Sequence, residues 1–484
     1  TLSDITPDGV YVGDSLQVQA TDLLLPGEGQ SLLVLNGDFI VASPPMTRPL
    51  HGVVIPLTAQ SRTRASFTLA PDKFGINPGD FVGEGTLENY TSGSEAMPSV
   101  PLTDLAIHVY SPVIDEFSPE TVRRGQRVSV SGRGFVPTDA VGESATLVQL
   151  EGIFKTAAGK EISYQGNNAM LLFPEAIDGN TGLEVVLRVT VGVDGALEGL
   201  GLIPGTFMGT AYPELFFGSE SFVGQGLDFT LTVAPQLQIV YVKFLPSFDE
   251  SFHAFGLHET RNAVKERIVA RCNRDYSAFN VQFVRERPED YAEYSVIELS
   301  GQDPNGANLL GLDNTTGKDT NNLRFNDVVG GKNAETEEQG YYAYGGVFLE
   351  SFLMFSPTIS KGKTSLSSFR FDEIFSPFVP ELGGSPATAG ELTGGSRTPQ
   401  VQEAVRVLGN LVGGTVAHEI GHSLGLAMVP SHEAEYHNLG DNPAWLMDSG
   451  NYRPFTERAE VDGDGPEVFS PYNFDYLNDI LPKG

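Results

Sequence analysis

The sequence predicts a multidomain chain: two all-β sandwiches over residues 1–110 and 111–234, then a mixed α/β (α+β) domain over 235–484. Three observations predict it. At 484 residues the chain is too long for one compact core. Its first 234 residues are short alternating apolar runs separated by Gly, Pro, Asp and Ser, the pattern of antiparallel strands in sandwiches. After Pro235 the texture changes, and apolar strands alternate with stretches of helical periodicity.

The two sandwiches follow from an internal repeat. Ile5-Thr-Pro-Asp-Gly-Val-Tyr-Val-Gly13-Asp-Ser-Leu16-Gln-Val18 aligns with Phe117-Ser-Pro-Glu-Thr-Val-Arg-Arg-Gly125-Gln-Arg-Val128-Ser-Val130 at an offset of 112. Pro78-Gly-Asp-Phe81-Val-Gly83 aligns with Pro204-Gly-Thr-Phe207-Met-Gly209 at an offset of 126, so the second copy carries about 14 extra residues. Each copy opens with a Pro that fixes the chain's entry and a Gly that allows a tight turn into a two-sided strand. Phe117-Ser-Pro-Glu, Gly125 and Val128-Ser-Val-Ser-Gly-Arg-Gly-Phe135 together resemble the immunoglobulin-like IPT/TIG module, which implies immunoglobulin-like sandwiches that space or bind.

In the third domain Gln238 to Phe244 reads as a strand. The next 30 residues read as a helix carrying Val264, Ile268 and Cys272 at i, i+4 spacing. Strands follow at Asn280 to Val284 and Tyr294 to Leu299, and Gly301 to Gly346 is rich in Gly, Asn and Asp, as long functional loops often are. A last long helix starts after Thr398 with Pro399 at its first position, where the missing N–H costs nothing. Its apolar stripe is Val405, Leu408, Val412, Val416, Ile420 and Leu424; Gly413 and Gly414 weaken it but permit close packing.

Four of the eight histidines fall between 418 and 437. On a helix His418 and His422 stand one above the other, so two imidazoles reach one metal while Glu419 projects toward a water. Zinc held there would acidify that water and polarise a scissile carbonyl, with the carboxylate taking and returning the proton.

This arrangement, with Gly425 after it, resembles the metzincin zinc peptidases, whose pattern is His-Glu-x-x-His-x-x-Gly-x-x-His followed by a methionine turn. The resemblance implies a zincin-type catalytic domain and a zinc endopeptidase acting on protein or peptide substrates. Trp445-Leu-Met447-Asp-Ser-Gly450 is similar to the methionine turn, with Met447 packed under the imidazoles. One position departs: Met428 stands where the third histidine belongs, and a thioether is a poor ligand for this chemistry. The third ligand then comes from an enlarged loop, with His437 the first choice, His432 the alternative, and an acid such as Glu457 or Glu460 a further one. Tyr452 is a candidate oxyanion stabiliser, as a tyrosine is in some metzincins. Asp441 or Asp448 is a candidate for orienting a ligand histidine. His253 and His258 read as structural. The rival reading is a non-catalytic adhesive or structural surface protein whose peptidase-like domain binds zinc without cutting.

Bulk composition bounds the partners. With 30 Lys and Arg against 62 Asp and Glu, a net charge of −32 excludes nucleic acid as a partner. Calcium is a second candidate metal, at Asp313 to Asp327 and at Glu460-Val-Asp462-Gly-Asp464-Gly-Pro-Glu467. A single cysteine, Cys272, excludes an internal disulfide and a cysteine-based zinc site. No apolar run approaches the roughly 18 residues of a membrane span. Acidity, cysteine poverty, the module architecture and a start at Thr1 without Met lead to the expectation of a secreted or cell-surface, extracytoplasmic bacterial protein, its export or pro-segment already gone.

Overall fold

A computed structural model describes residues 1–91, 97–138, 143–188, 190–191, 197–198, 200, 203–315, 326–332, 343–426 and 437–481. The chain divides into two compact units, Thr1–Ala234 and Pro235–Gly484.

Within the first unit the two repeats fold alike, as immunoglobulin-like β-sandwiches. Among the described residues, the smaller sheet of the first copy runs Leu2–Thr6, Ser15–Ala20, Arg64–Thr68, Thr58–Ala59 in spatial order; that of the second runs Val113–Ser118, Arg127–Arg133, Gly182–Val186, Pro174–Asp178. The larger sheets match in the same way: Leu102–Val109, Gly79–Tyr90, Gln30–Val41 and Met46–Pro56 against Leu227–Val233, Gly205–Phe217, Ser144–Thr156 and Glu161–Tyr164. Period-two alternation turns Leu16 and Val18, and likewise Val128 and Val130, into the space between sheets, where they meet Phe39 and Phe81 in one copy and Phe154 and Phe207 in the other. The repeated glycines sit at the turn into that strand. Gly13 and Gly125 take φ of 88° and 78°, a region that favours glycine, and donate to the carbonyls of Leu69 and Leu187.

The second unit is built on a mixed sheet with spatial order Val281–Val284, Gln238–Phe244, Ser295–Ser300, Gly346–Phe348, Gly311–Leu312. The first four strands run parallel and the last is antiparallel. Near-continuous apolar runs such as Gln238–Phe244 suit parallel strands covered on both faces. The stretch expected as one helix after Phe244 is divided. A short helix at Pro246–Ser251 is followed by a break at Gly256, whose φ is 63° and whose missing side chain makes room for the Phe378 carbonyl, and the main helix is Arg261–Asp275.

That helix packs on the long helix Thr398–Ser423, which also lies against Gly346–Phe348 and Gly311–Leu312. The glycines of the long helix set this approach. A side chain on Gly413 would sit 2.8 Å from Arg271 Cβ, and the Tyr276 hydroxyl donates to the Ala417 carbonyl at 3.0 Å. The helix ends in a left-handed turn: Gly425 has φ 86°, its N–H reaches the His422 carbonyl at 2.8 Å, and the Leu426 N–H reaches that of Gly421 at 2.9 Å. Among the described residues no helix is long and apolar enough to cross a membrane.

Candidate metal centre

The last turns of the long helix are the floor of a cleft of about 520 Å³. His418, Glu419 and His422 all line it, and His437, arriving from the far side of the loop, lines it too. The three imidazoles converge, with one nitrogen of each lying within 4.8 Å of the others. The His418 and His422 rings are nearly perpendicular, at 88°, while His437 stacks on His418 with 5.4 Å between centroids.

Hydrogen bonds fix which nitrogens face inward. His418 Nδ1 donates to the Leu446 carbonyl at 2.7 Å, and the His422 ring donates to the backbone carbonyl of Leu426. Both Nε2 atoms are then lone-pair acceptors, and they face each other at 3.0 Å. Burial drives His418 well below the ordinary histidine value, reinforced by His422 and the Arg453 guanidinium, and burial beside His437 takes His422 down to about 3. Two lone pairs held this close, with a third imidazole beside them and nitrogen donors throughout, fit a borderline cation such as zinc. Backbone carbonyls hold the outer nitrogens of two of the three, as is usual for metal-binding histidines.

Glu419 is 6% exposed, and its carboxyl is pushed up to about 8 by burial and by the neighbouring Asp313. Asp313, itself buried, is pushed up to about 7 by desolvation although Thr315 donates to it twice. Asp313 follows directly on the antiparallel edge strand Gly311–Leu312, which is pressed against the helix: a side chain on Gly311 would lie 2.6 Å from Glu419 Oε1. The cleft therefore has an edge strand on one side and the imidazoles on its floor, with Leu309, Leu310, Leu312 and Leu426 as apolar wall.

Beneath the site, Met447 is fully buried and packs where Gly421 has no side chain; a Cβ there would meet its sulfur at 2.6 Å. Its turn is fastened by Asp448, which accepts from Asn438 Nδ2 at 2.9 Å and from the Asn442 N–H at 2.6 Å. Asp448 thus ties down the segment directly after His437 and touches no imidazole through these bonds. Behind His418 runs a buried ionic chain. Arg453 Nε donates to Glu467 Oε1 at 2.6 Å, and Arg271 Nη2 to Glu467 Oε2 at 2.7 Å. Burial alone would raise the Glu467 carboxyl, but Arg453 and Arg271 hold it at about 2.

Of the residues singled out in the sequence, His418, Glu419, His422 and His437 meet in this cleft and Met447 lies below it. Tyr452 does not join them. It is 47% exposed at the end of the turn Gly450–Tyr452, and its neighbours Asn451 and Arg453 line the cleft instead. His432 and Met428 lie outside the described residues, as does most of Asp313 to Asp327. In the second acidic stretch the carboxylates serve arginines: Glu460 pairs with Arg271 and Arg274, Asp462 with Arg370, and Glu467 with Arg271 and Arg453. Glu457, like Glu460, is not among the residues lining the cleft. His253 and His258 stack on each other at 3.9 Å in the second unit, away from the three-histidine group. Sequence reasoning placed Asp313 and Glu467 in candidate calcium stretches, where the structure puts Asp313 in the cleft and Glu467 between Arg271 and Arg453, and it missed Arg453 and Arg458. No periodicity marks these, and the one available signal was two arginines soon after the methionine turn.

No family model and no curated protein matches the chain. Solved structures similar to 48% of it include the FN1–FN3 domains of chicken CNTN1 (13% identity, 66% of that chain, TM-score 0.14). Two others cover the same share: the Yersinia pseudotuberculosis adhesin InvE (14%, 58% of that chain, 0.18) and the gamma-CGTase of an alkalophilic Bacillus clarkii (17%, 25% of that chain, 0.15). The chain spans less than two thirds of each, and similarities of this size carry no argument about chemistry.

Proposed function

We propose that the second unit is a metzincin-like zinc endopeptidase of a secreted or surface-exposed protein, with the two sandwiches as spacing or binding modules. The observation that carries the reading is the convergence of His418, His422 and His437 beside a buried Glu419 on the floor of a cleft bordered by an edge strand. His418, His422 and His437 would hold the zinc, which when bound supplies a Lewis acid that polarises the scissile carbonyl. An extended peptide can lie along the edge strand Gly311–Leu312 through main-chain hydrogen bonds, as added strands do. Glu419, buried beside the imidazoles and lining the same cleft, takes the proton of the attacking water and returns it to the leaving nitrogen. Leu309, Leu310 and Leu312 keep bulk water from the reacting bond. The acid-rich composition, the single cysteine and the tandem immunoglobulin-like modules support a place outside the cytoplasm.

The experiment is metal analysis with cleavage of an unstructured protein by wild type, Glu419→Gln and His437→Ala. We expect one zinc in wild type and in Glu419→Gln, hydrolysis slowed by about 10²–10⁴ in the latter, and zinc lost from His437→Ala. Zinc-loaded wild type that cuts no substrate sinks the catalytic reading in favour of a binding protein. Full zinc in His437→Ala removes that ligand.

A further inference from the structure

We propose that the cleft grips its substrate by a carboxylate, held between Arg453 and Arg458; the proposal deepens the peptidase reading and rests on it. Both arginines line the cleft, and both are buried, at 1% and 3% exposure. Their hydrogen bonding is incomplete. Arg453 spends Nε on Glu467. Its Nη1 stands 3.2 Å from His418 Nδ1, which has already given its proton to the Leu446 carbonyl, so this is a close approach of two donors. Its Nη2 is buried and has no partner. Arg458 donates Nε to the Arg453 carbonyl at 2.9 Å and Nη2 to the Gly450 carbonyl at 3.2 Å. Among the described residues no carboxylate lies within ion-pair distance of it; Glu467, Glu457 and Glu419 act on it from farther off, and Glu467 is already shared with Arg271 and Arg453.

A guanidinium offers five N–H donors in a planar fork, and a buried one normally has its donors met. Two adjacent buried guanidiniums line the cleft, and one of them has a donor unmet, although the carboxyls of Glu419 and Glu457 lie close enough to act on both. A carboxylate matches the planar fork of a guanidinium, which it can accept from through both oxygens. The carboxylate has two sources in a peptide: an Asp or Glu side chain near the scissile bond, or a free C-terminus.

The test uses the full-length zinc-loaded protein carrying Glu419→Gln, so that binding is read without turnover. Calorimetry compares a short amidated peptide scanned with Glu or Gln at each position, and the Gln peptide with its C-terminus free. We expect one acidic form to bind about tenfold or more tightly than the neutral amide. A preference for an internal Glu identifies the side chain, and a preference for the free terminus identifies the C-terminal carboxylate. Adding Arg458→Met, or Arg453→Lys, which keeps the charge and loses the fork, should bring acidic and neutral peptides to within about twofold of each other. Equal binding of all forms with both arginines intact overturns the proposal, whether or not the variants fold; so does an acid preference that persists unchanged in both variants. Cleavage by the wild-type protein together with no acid preference in the binding measurements removes this inference alone. Acid-selective binding with no cleavage of any peptide removes the peptidase reading alone.

Discussion

Glu467 is the acid on which the site's buried arginines depend, and Glu467→Gln isolates its contribution. Its side chain is fully buried, with one oxygen on Arg453 and the other on Arg271. Held at about 2 in the folded chain against 4.5 as a free carboxyl, it contributes about 3 kcal/mol at neutral pH. Glutamine keeps the shape and removes the charge, so the two guanidiniums lose their shared counterion and the expected loss at pH 7 is about 3 kcal/mol. The sign with pH follows from the depressed carboxyl: its stabilisation is full above pH 4.5 and is lost as pH falls toward 2. Urea unfolding read by the fluorescence of Trp445, the chain's one tryptophan, reports the second unit specifically. The gap between wild type and Glu467→Gln should close between pH 5 and pH 2, while stability lost by both through the buried histidines cancels in the difference. A gap under about 1 kcal/mol at pH 7 would refute the reasoning, as would one that keeps its full size at the acid end.

Gly413→Ala should destabilise the second unit by about 1 kcal/mol in the same unfolding assay. The helix-propensity gain is smaller than the cost of placing a Cβ 2.8 Å from Arg271 Cβ and 3.0 Å from the Ile268 carbonyl. Asp448→Ala frees the segment after His437, and competition with a chelating dye should show zinc held about 10–100-fold more weakly, with the unfolding midpoint little changed above saturating zinc. Tyr452→Phe should leave peptide hydrolysis within about twofold of wild type, because the ring stands exposed outside the cleft lining; a larger fall in kcat would restore it as an oxyanion donor.

Local chemistry made much of this protein legible. The repeat of Ile5 to Val18 at Phe117 to Val130 carried its own turn glycines and alternation, and the two copies have the same sheet order. The run from Pro399 to Gly425 contained a helix start, an apolar stripe and a left-handed stop, and the observed helix is Thr398–Ser423. The break at Gly256 was not legible, because it answers to a carbonyl more than a hundred residues away, that of Phe378.

The sequence by itself determined that His418 and His422 share one helical face with Glu419 projecting alongside, since helical spacing alone stacks residues four apart. Only the tertiary structure decided what surrounds them: that His437 closes the group, that Asp313 arrives from an edge strand to sit by Glu419, that Tyr452 faces solvent, and that Arg453 and Arg458 stand buried with a donor unmet. The reason is physical. Spacing along one helix is fixed by the backbone, whereas contacts across loops depend on which distant groups the packing leaves without a partner, and no local pattern encodes that.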